Sequence, residues 1–129
     1  MSLSVREHYS IGQLARSLGL THRAIRYYEE CGLVRPMRDG VMRIFSSSDC
    51  ERMRFIAEAR RANLSVVDIR ELLELHDPDD GGRRQLARRL QLLTSQFEAA
   101  VAQCASLKDE IDRGRAAIQE LDGRGSKAA

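Results

Sequence analysis

Side chains suited to binding nucleic acid are concentrated in one short stretch of the chain, THRAIRYYEECG at residues 21–32. Arginine donates paired hydrogen bonds to phosphate oxygens or to guanine, and a tyrosine hydroxyl can donate to phosphate. Thr21 is suited to cap the first free amides of a helix, and Gly32 to the left-handed turn that ends one. The stretch predicts a short basic helix with His22 and Arg23 in its first turn, where recognition helices meet base edges.

A second short helix is predicted immediately before this basic one. Ser10 can cap it and Gly19 can close it. One face carries apolar residues at helical spacing, namely Ile11, Leu14, Ala15 and Leu18. That face is expected to pack against Ile25 and Tyr28 of the basic helix. Two short helices joined by a Gly-containing turn predict a helix-turn-helix whose second helix enters the major groove of DNA.

A β-hairpin is predicted next, in LVRPMRDGVMRIF at residues 33–45. Two β-capable runs flank an Asp-Gly pair, which is a strong signal for a tight hairpin turn. Such a hairpin would form a wing beside the basic helix and lie along the DNA backbone. Its candidate contacts to phosphate or to the minor groove are Arg35, Arg38 and Arg43.

Two further helices are predicted after the hairpin, at residues 50–62 and 66–76. The polar run that ends at Asp49 can cap the first, and Asn63 can end it because asparagine tolerates the left-handed conformation. Ser65 can cap the second. Each helix carries an apolar face at helical spacing, so each is expected to bury that face.

The polar run DPDDGG at residues 77–82 is typical of a break between elements. We interpret it as a hinge loop that follows a DNA-binding domain at residues 1–76. A calcium loop is the alternative for this acidic run, but the run lacks the length and the distal glutamate that such a loop requires.

Apolar residues alternate at 4-3 spacing from Leu86 to Leu121, through five heptads. A helix at residues 83–121 cannot bury this stripe on a short domain, so we expect it to pair with a second copy as a coiled coil. Gly114 falls on the seam and weakens it by roughly 1 kcal/mol. Residues 122–129 are expected to form a flexible tail. The residues assigned to dimerisation are Leu86, Leu90, Leu93, Phe97, Ala100, Cys104, Leu107, Ile111, Ile118 and Leu121.

The run IGQLARSLGLTHRAIRYYEECGLVRP at residues 11–36 resembles the start of a MerR-family transcriptional regulator, and the likeness extends from about Tyr9 to about Leu121. The resemblance implies a mainly α fold with a winged helix-turn-helix DNA-binding domain. It also implies a small β-hairpin wing, a lesser second wing and a long C-terminal coiled-coil helix that pairs antiparallel. Met42 and Phe45 depart from the family pattern, because they replace tyrosines whose hydroxyls could contact DNA.

The residues expected to contact DNA also follow from this resemblance. It implies base-edge contact by His22 and Arg23, and phosphate contact by residues later in the same helix. For the arginines of the lesser wing, a plain surface role is the alternative. The full set is Thr21, His22, Arg23, Arg26, Tyr27 and Tyr28 in the basic helix, Arg35, Arg38 and Arg43 in the hairpin, and Arg54, Arg60 and Arg61 in the lesser wing. The run LELHDPDDGGRRQL at residues 73–86 further resembles a short-chain subgroup linked to branched-chain amino-acid and fatty-acyl catabolism.

Positive charge is concentrated where the predicted helix-turn-helix lies. Residues 1–62 hold 11 arginines and 7 acids, a balance of +4, whereas residues 63–129 hold 10 basic and 12 acidic residues, a balance of −2. Binding to phosphates requires a positive end of this kind. Of the 21 basic residues only Lys108 and Lys127 are lysine.

Several classes of protein are disfavoured by the composition. A chain of 129 residues leaves little room for a catalytic domain, and we expect no enzyme activity, cofactor or metal. No apolar run reaches the length of a membrane span, and the N-terminus lacks the apolar core of a signal peptide, so a cytoplasmic protein without membrane contact is expected.

Residues 1–8 are expected to be frayed. Three widely spaced cysteines, Cys31, Cys50 and Cys104, favour neither a disulfide framework nor a CxxC metal site.

Together these features predict a homodimeric, sequence-specific transcriptional regulator on double-stranded DNA. The resemblance implies a palindromic promoter site with an overlong spacer, which the protein would bend or untwist for RNA polymerase. One alternative is a coiled-coil interaction module whose basic head docks on an acidic protein. Another is a thiol or metal sensor that uses Cys104.

Overall fold

The protein is mainly helical, and its computed structural model describes residues 8–128. Three short strands form a small antiparallel sheet among the helices. In chain order the elements are β1 (His8–Tyr9), α1 (Ile11–Leu18), α2 (His22–Glu30), β2 (Met37–Asp39), β3 (Met42–Ser46), α3 (Ser47–Arg61), α4 (Val66–Glu74), a short 3₁₀ helix (Pro78–Asp80) and α5 (Arg83–Ala128). The predicted fold class, a winged helix-turn-helix with a small β wing and a long C-terminal helix, is confirmed.

Helices α1 and α2 begin and end where the sequence signals place them. The Ser10 hydroxyl accepts a hydrogen bond from the Gln13 amide at 3.1 Å, and the Gln13 side chain accepts one from the Ser10 amide at 2.8 Å. Thr21 caps α2 by accepting from the Ala24 amide at 3.0 Å. Gly19, at φ 65°, ends α1 in the left-handed conformation. These caps fix the turn between the two helices.

Strand β3 is the centre of the sheet, with β1 on one side and β2 on the other. In the β2–β3 hairpin Arg38 lies directly opposite Arg43. The Asp-Gly signal predicts this hairpin correctly, but Asp39 belongs to β2 and the turn residues are Gly40 and Val41. Gly40 has a φ of 62° and supplies the positive φ that a type II′ turn needs at its first central position.

Strand β1 is an element that the sequence did not indicate. His8 pairs with Ser46 and Tyr9 with Phe45, both in antiparallel register. His8 was expected to be frayed and is instead part of the sheet, whereas residues 1–7 lie outside the described residues. Tyr9 and Phe45 are buried, so this pairing closes the sheet over the core.

The core lies between α1, α2, the sheet, α3 and α4, each of which contributes buried apolar side chains. Helix α3 starts at Ser47 rather than at residue 50, because Ser46 caps it in a reciprocal capping box with Asp49. It ends before Asn63, whose φ of 62° confirms the left-handed stop. Ser65 caps α4 as predicted, although α4 ends at Glu74 rather than at residue 76.

The predicted hinge at residues 77–82 is an ordered polar turn. Asp77 accepts a hydrogen bond from the Asp79 amide at 2.9 Å, and Asp80 accepts from the amides of Gly82 at 2.8 Å and Arg83 at 3.1 Å. Asp80 therefore satisfies free amides at the start of α5. That this segment acts as a hinge, and that domain limits lie at 76 and 83, stay predictions.

The chain divides into two compact units, Met1–Leu90 and Gln91–Ala129. The first contains the sheet, α1 to α4 and the start of α5, and the second contains the remainder of α5. Helix α5 continues to Ala128. Residues 122–128 are therefore helical, although the sequence pattern places the end of the helix at Leu121.

Candidate nucleic-acid interface

Helix α2 has one buried and one exposed face. Ile25 and Tyr28 lie in the core, as their spacing predicts. Because the Tyr28 ring is buried, we leave this residue out of the proposed DNA surface, and Thr21 serves as the helix cap. The exposed side chains of α2 include His22, Arg23, Arg26 and Tyr27. They lie on the side of the helix that the core does not cover.

Tyr27 is the aromatic member of this exposed face. A side-chain hydrogen bond with Cys31 raises the pKa of Tyr27 above its ordinary value of 10.0. The Tyr27 ring lies 5.6 Å from the ring of Tyr28, at an interplanar angle of 57°. The Tyr27 phenol is therefore protonated at neutral pH.

Two arginines of the wing bind one carboxylate of α2. The Arg38 guanidinium lies 2.7 Å from Oε1 of Glu29, and Nε of Arg43 lies 2.5 Å from Oε2. The Glu29 side chain is 17% exposed, that of Arg43 22% and that of Arg38 50%. We call these three residues the Glu29 cluster. It joins β2 and β3 to the last turn of α2.

The charge state of Glu29 follows from these contacts. Burial alone would raise its pKa, but the hydrogen bonds and positive charges of Arg43 and Arg38 outweigh burial and hold the pKa below its ordinary value of 4.5. The carboxylate is therefore ionised at neutral pH. The hairpin pattern predicts Arg38 and Arg43 as contacts to phosphate or to the minor groove, whereas in this structure both are paired with Glu29, a partner that the pattern did not identify.

The rest of the wing is exposed. Arg35 lies just before β2 with its side chain accessible. Val41, in the hairpin turn, is 91% exposed, and Met37 and Met42 are also largely exposed. Met42, where the family resemblance expects a tyrosine, offers only apolar contact to a neighbouring molecule.

The three arginines assigned to the lesser wing have different surroundings. Arg61 donates to the carbonyl of Leu18 at 3.0 Å, and Arg60 donates to the carbonyl of Leu64 at 2.9 Å. Arg54 is exposed on α3. Arg61 therefore contacts the end of α1 and Arg60 the turn between α3 and α4, and since a guanidinium has five N–H groups, each retains further donors.

Two more arginines, which the sequence pattern did not single out, support the segment after α2. Arg52 of α3 donates to the carbonyl of Leu33, and Arg70 of α4 donates to the carbonyl of Cys31. Both acceptors lie between α2 and the wing. No local sequence signal marks these residues, because each contact joins positions that are far apart along the chain.

The start of α5 is attached to the two helices before it. Gln85 donates to the carbonyl of Leu72 at 2.9 Å, and Arg88 lies 2.8 Å from the Glu71 carboxylate. The Arg89 guanidinium lies 5.3 Å from the centre of a phenylalanine ring in α3. The first turns of α5 therefore pack on the domain that contains α2.

The apolar stripe of α5 is largely exposed within one chain. The exposed large side chains range from 48% exposed at Leu107 to 69% at Phe97, whereas Leu93 is only partly exposed. Val101, which the heptad pattern did not include, is also exposed and widens the stripe. Cys104, predicted to be a buried seam residue, is exposed in the single chain. The large exposed members of the predicted seam are Leu86, Leu90, Phe97, Leu107, Ile111, Ile118 and Leu121.

The cysteines differ in environment. Burial, with a smaller contribution from the nearby charge of Asp49, raises the pKa of the Cys50 thiol to about 11, whereas Cys31 is partly exposed. Within residues 8–128, no three Cys, His, Asp or Glu side chains are grouped so that they could hold a metal ion. In the same part of the chain, no helix has the length and apolarity needed to span a membrane.

Comparison with known families gives two overlapping matches. The family described as "MerR HTH family regulatory protein" matches residues 9–75, and the family described as "MerR, DNA binding" matches residues 50–123. Together they span the helix-turn-helix, the wing, α3, α4 and most of α5. The described elements and both families therefore cover the same part of the chain.

Individual proteins agree with this result. The regulator ZntR of Escherichia coli (strain K12) is 32% identical over 108 residues, which cover 81% of this chain and 77% of the relative. HmrR of Rhizobium leguminosarum bv. viciae is 28% identical over 104 residues, 80% of this chain and 81% of the relative. Among solved structures, HiNmlR, a MerR family regulator lacking the sensor domain and bound to promoter DNA, has a TM-score of 0.53 at 24% identity and covers 81% of this chain and 79% of that one. That structure supports the shared fold.

Proposed function

Because this chain belongs to the MerR family of DNA-binding transcriptional regulators, we propose that it acts as a homodimer that recognises a palindromic promoter site. The observation that carries this proposal is the exposed basic face of α2. It presents His22, Arg23 and Arg26 away from a core that holds the opposite face fixed. A preformed, rigid helix face of this kind suits readout in the major groove.

The contacts divide by position on the helix and wing. His22 and Arg23, in the first turn of α2, read base edges, and Arg26 and Tyr27 bind phosphates. Arg35 and the free donors of the wing arginines bind the backbone beside the groove. Arg54 adds a phosphate contact from α3. Base contacts set the sequence, whereas phosphate contacts set affinity and its dependence on salt.

The exposed stripe of α5 supports a homodimer. A stripe of large apolar side chains over five heptads is the pattern of a two-stranded coiled coil, and its burial by a second copy would remove it from water. Family membership favours antiparallel pairing of the two copies. A two-fold axis then presents two copies of α2 to two half-sites of a palindrome.

The proposed mechanism is deformation of the promoter. Two wings and two α2 helices held at a fixed separation stabilise a bent or untwisted duplex, at a cost on the order of 1 to 6 kcal/mol of deformation energy. In an overlong spacer this deformation realigns the promoter elements for RNA polymerase. The protein itself needs no catalytic group or cofactor for this action.

The direct test is a footprint of the purified full chain on the promoter region flanking its own gene, at moderate salt with excess competitor DNA. We expect a protected palindrome between the promoter elements, together with a dimer mass by light scattering. A dimer that shows no sequence preference on any promoter fragment, or on duplexes selected from a random library, would instead favour a protein-interaction module.

A further inference from the structure

The wing contains an unfavourable arrangement of charges. Arg38 and Arg43 are directly opposite each other in the β2–β3 register. Like charges at opposite positions destabilise a strand pair. Strand β2 has just three residues, which leaves few other contacts to oppose this repulsion. A compensating group from elsewhere in the chain would therefore stabilise the hairpin.

Glu29 of α2 is that group. Each of its carboxylate oxygens accepts a hydrogen bond from a different strand of the wing, from Arg38 at 2.7 Å and from Arg43 at 2.5 Å. Glu29 and Arg43 are both partly buried, so solvent screens their attraction less than it would screen a fully exposed pair. One carboxylate thus offsets the repulsion and attaches both strands to α2.

We propose that Glu29 is a positioning residue that fixes the wing relative to the DNA-reading face of α2. This inference rests on the proposed function, because it requires α2 and the wing to meet the same duplex. Glu29 occupies only some of the five N–H groups of each guanidinium, so the arginines keep donors for phosphate. The carboxylate determines where those remaining donors lie.

The proposal predicts that neutralising Glu29 weakens specific DNA binding, whereas simple charge repulsion predicts that it strengthens binding. An acidic residue near DNA repels phosphates, so its neutralisation would ordinarily tighten binding to every duplex. If Glu29 positions the wing, Glu29→Gln instead weakens binding to the specific site and leaves binding to unrelated DNA equal or stronger. Glu30→Gln is the matched control, because Glu30 is the neighbouring acid of α2 and lies exposed outside the Glu29 cluster.

The experiment compares the full-length wild-type chain, Glu29→Gln and Glu30→Gln on two probes. One probe is the duplex that the wild-type chain selects from a random-sequence library, and the other is a scrambled duplex of the same composition. We expect Glu29→Gln to lose roughly tenfold in affinity for the selected duplex only, and Glu30→Gln to lose none. Equal or tighter binding of Glu29→Gln to the selected duplex, relative to Glu30→Gln, would overturn the proposal.

Hydrogen exchange tests the positioning role of Glu29 without DNA. In Glu29→Gln the amides of residues 37–46 should exchange roughly tenfold faster, whereas those of α1 and α3 should keep the wild-type rate. Unchanged wing exchange would refute the positioning role even if the wild-type chain showed no preference among duplexes. That lack of preference would count against the proposed function alone, so the two failures are distinguishable.

A double variant tests whether Glu29 acts through the arginines. If it does, Glu29→Gln combined with Arg38→Gln binds the selected duplex no more weakly than the weaker single variant. If the fold losses in affinity of the two single variants multiply in the double variant, the two residues act independently, and this would contradict the proposal that Glu29 acts through the arginines.

Discussion

The surface formed by α2 and the wing and the stripe of α5 are both exposed in one chain, but they are stabilised in different ways. The α2 surface is charged, and its apolar underside, its caps and the Glu29 cluster all lie within the same domain. The α5 stripe is apolar and largely open to water. One chain therefore completes the surface proposed to read DNA, whereas the proposed dimer surface would require a second copy.

The largest expected effect is the loss of dimerisation when a charge is introduced into the apolar stripe of α5. Ile111→Asp places a charge on the proposed seam, and a two-fold axis places it there twice, so we expect the dimer dissociation constant to rise by at least about 100-fold. Light scattering and sedimentation over a concentration series measure this change. Circular dichroism should show that the core domain stays folded.

Ala116→Asp is the matched control for this change, because Ala116 is an exposed position of α5 outside the 4-3 pattern. It should leave the dimer intact apart from a small loss of helix propensity. Equal weakening by both substitutions would show that charge anywhere on α5 is harmful and that the stripe is not the dimer seam.

A smaller effect separates two roles within the α2 surface. Arg26→Ala should weaken binding to all duplexes by roughly tenfold at low salt and reduce the slope of log K against log salt by about 1. Arg23→Ala should cost about 1 to 3 kcal/mol at particular base pairs and change the selected sequence. Binding isotherms over a salt series and repeated selection provide the measurements. Identical behaviour of the two variants would contradict the division into base and phosphate contacts.

A modest pH effect tests the electrostatics that hold the wing. Because the folded-state pKa of Glu29 lies below its ordinary value of 4.5, ionised Glu29 contributes stability that is fully present above pH 4.5 and is lost as pH falls through the folded-state pKa. The wild-type chain should therefore melt a few degrees above Glu29→Gln at neutral pH, and this difference should shrink only below pH 4.5. A melting difference that disappears between pH 6 and 8 would point to another titrating group.

The smallest expected effect concerns the thiol on the stripe. Cys104→Ala replaces one small apolar group with another on the proposed seam, so DNA affinity and dimer mass should stay within about twofold of wild type. The same should hold after addition of a thiol oxidant or zinc. A response to either agent that is present in wild type and absent in Cys104→Ala would revive the sensor alternative.

Local sequence signals identified most of the elements, since caps and periodicity act over a few residues. Ser10, Thr21 and Ser65 begin helices as expected, and the 4-3 pattern marks a stripe that the structure leaves exposed. The signals failed at the end of α5. Gly123 and Gly125 each disfavour helix by about 1 kcal/mol, but a long helix can propagate through such positions because no new nucleus is needed.

Contacts between positions far apart in the chain could not be predicted from the sequence pattern. Glu29 reaches Arg38 and Arg43 only because the hairpin register places one arginine from each strand on the same side. Strand β1 could likewise not be predicted, because His8 and Tyr9 form a strand only by pairing with β3. Such features depend on the assembled domain, and no spacing rule along the chain reports them.

Four arginines donate to backbone carbonyls at the end of α1 or in the turns that follow α2 and α3: Arg52, Arg60, Arg61 and Arg70. A guanidinium offers five N–H donors in a rigid planar group. It is also not a substrate for the acetylation that neutralises lysine, and the two lysines of the sequence, Lys108 and Lys127, both follow residue 90. The junctions that hold α2 and its neighbours therefore use no lysine, so lysine acetylation in the cell would leave the geometry of the proposed DNA-binding surface unaltered.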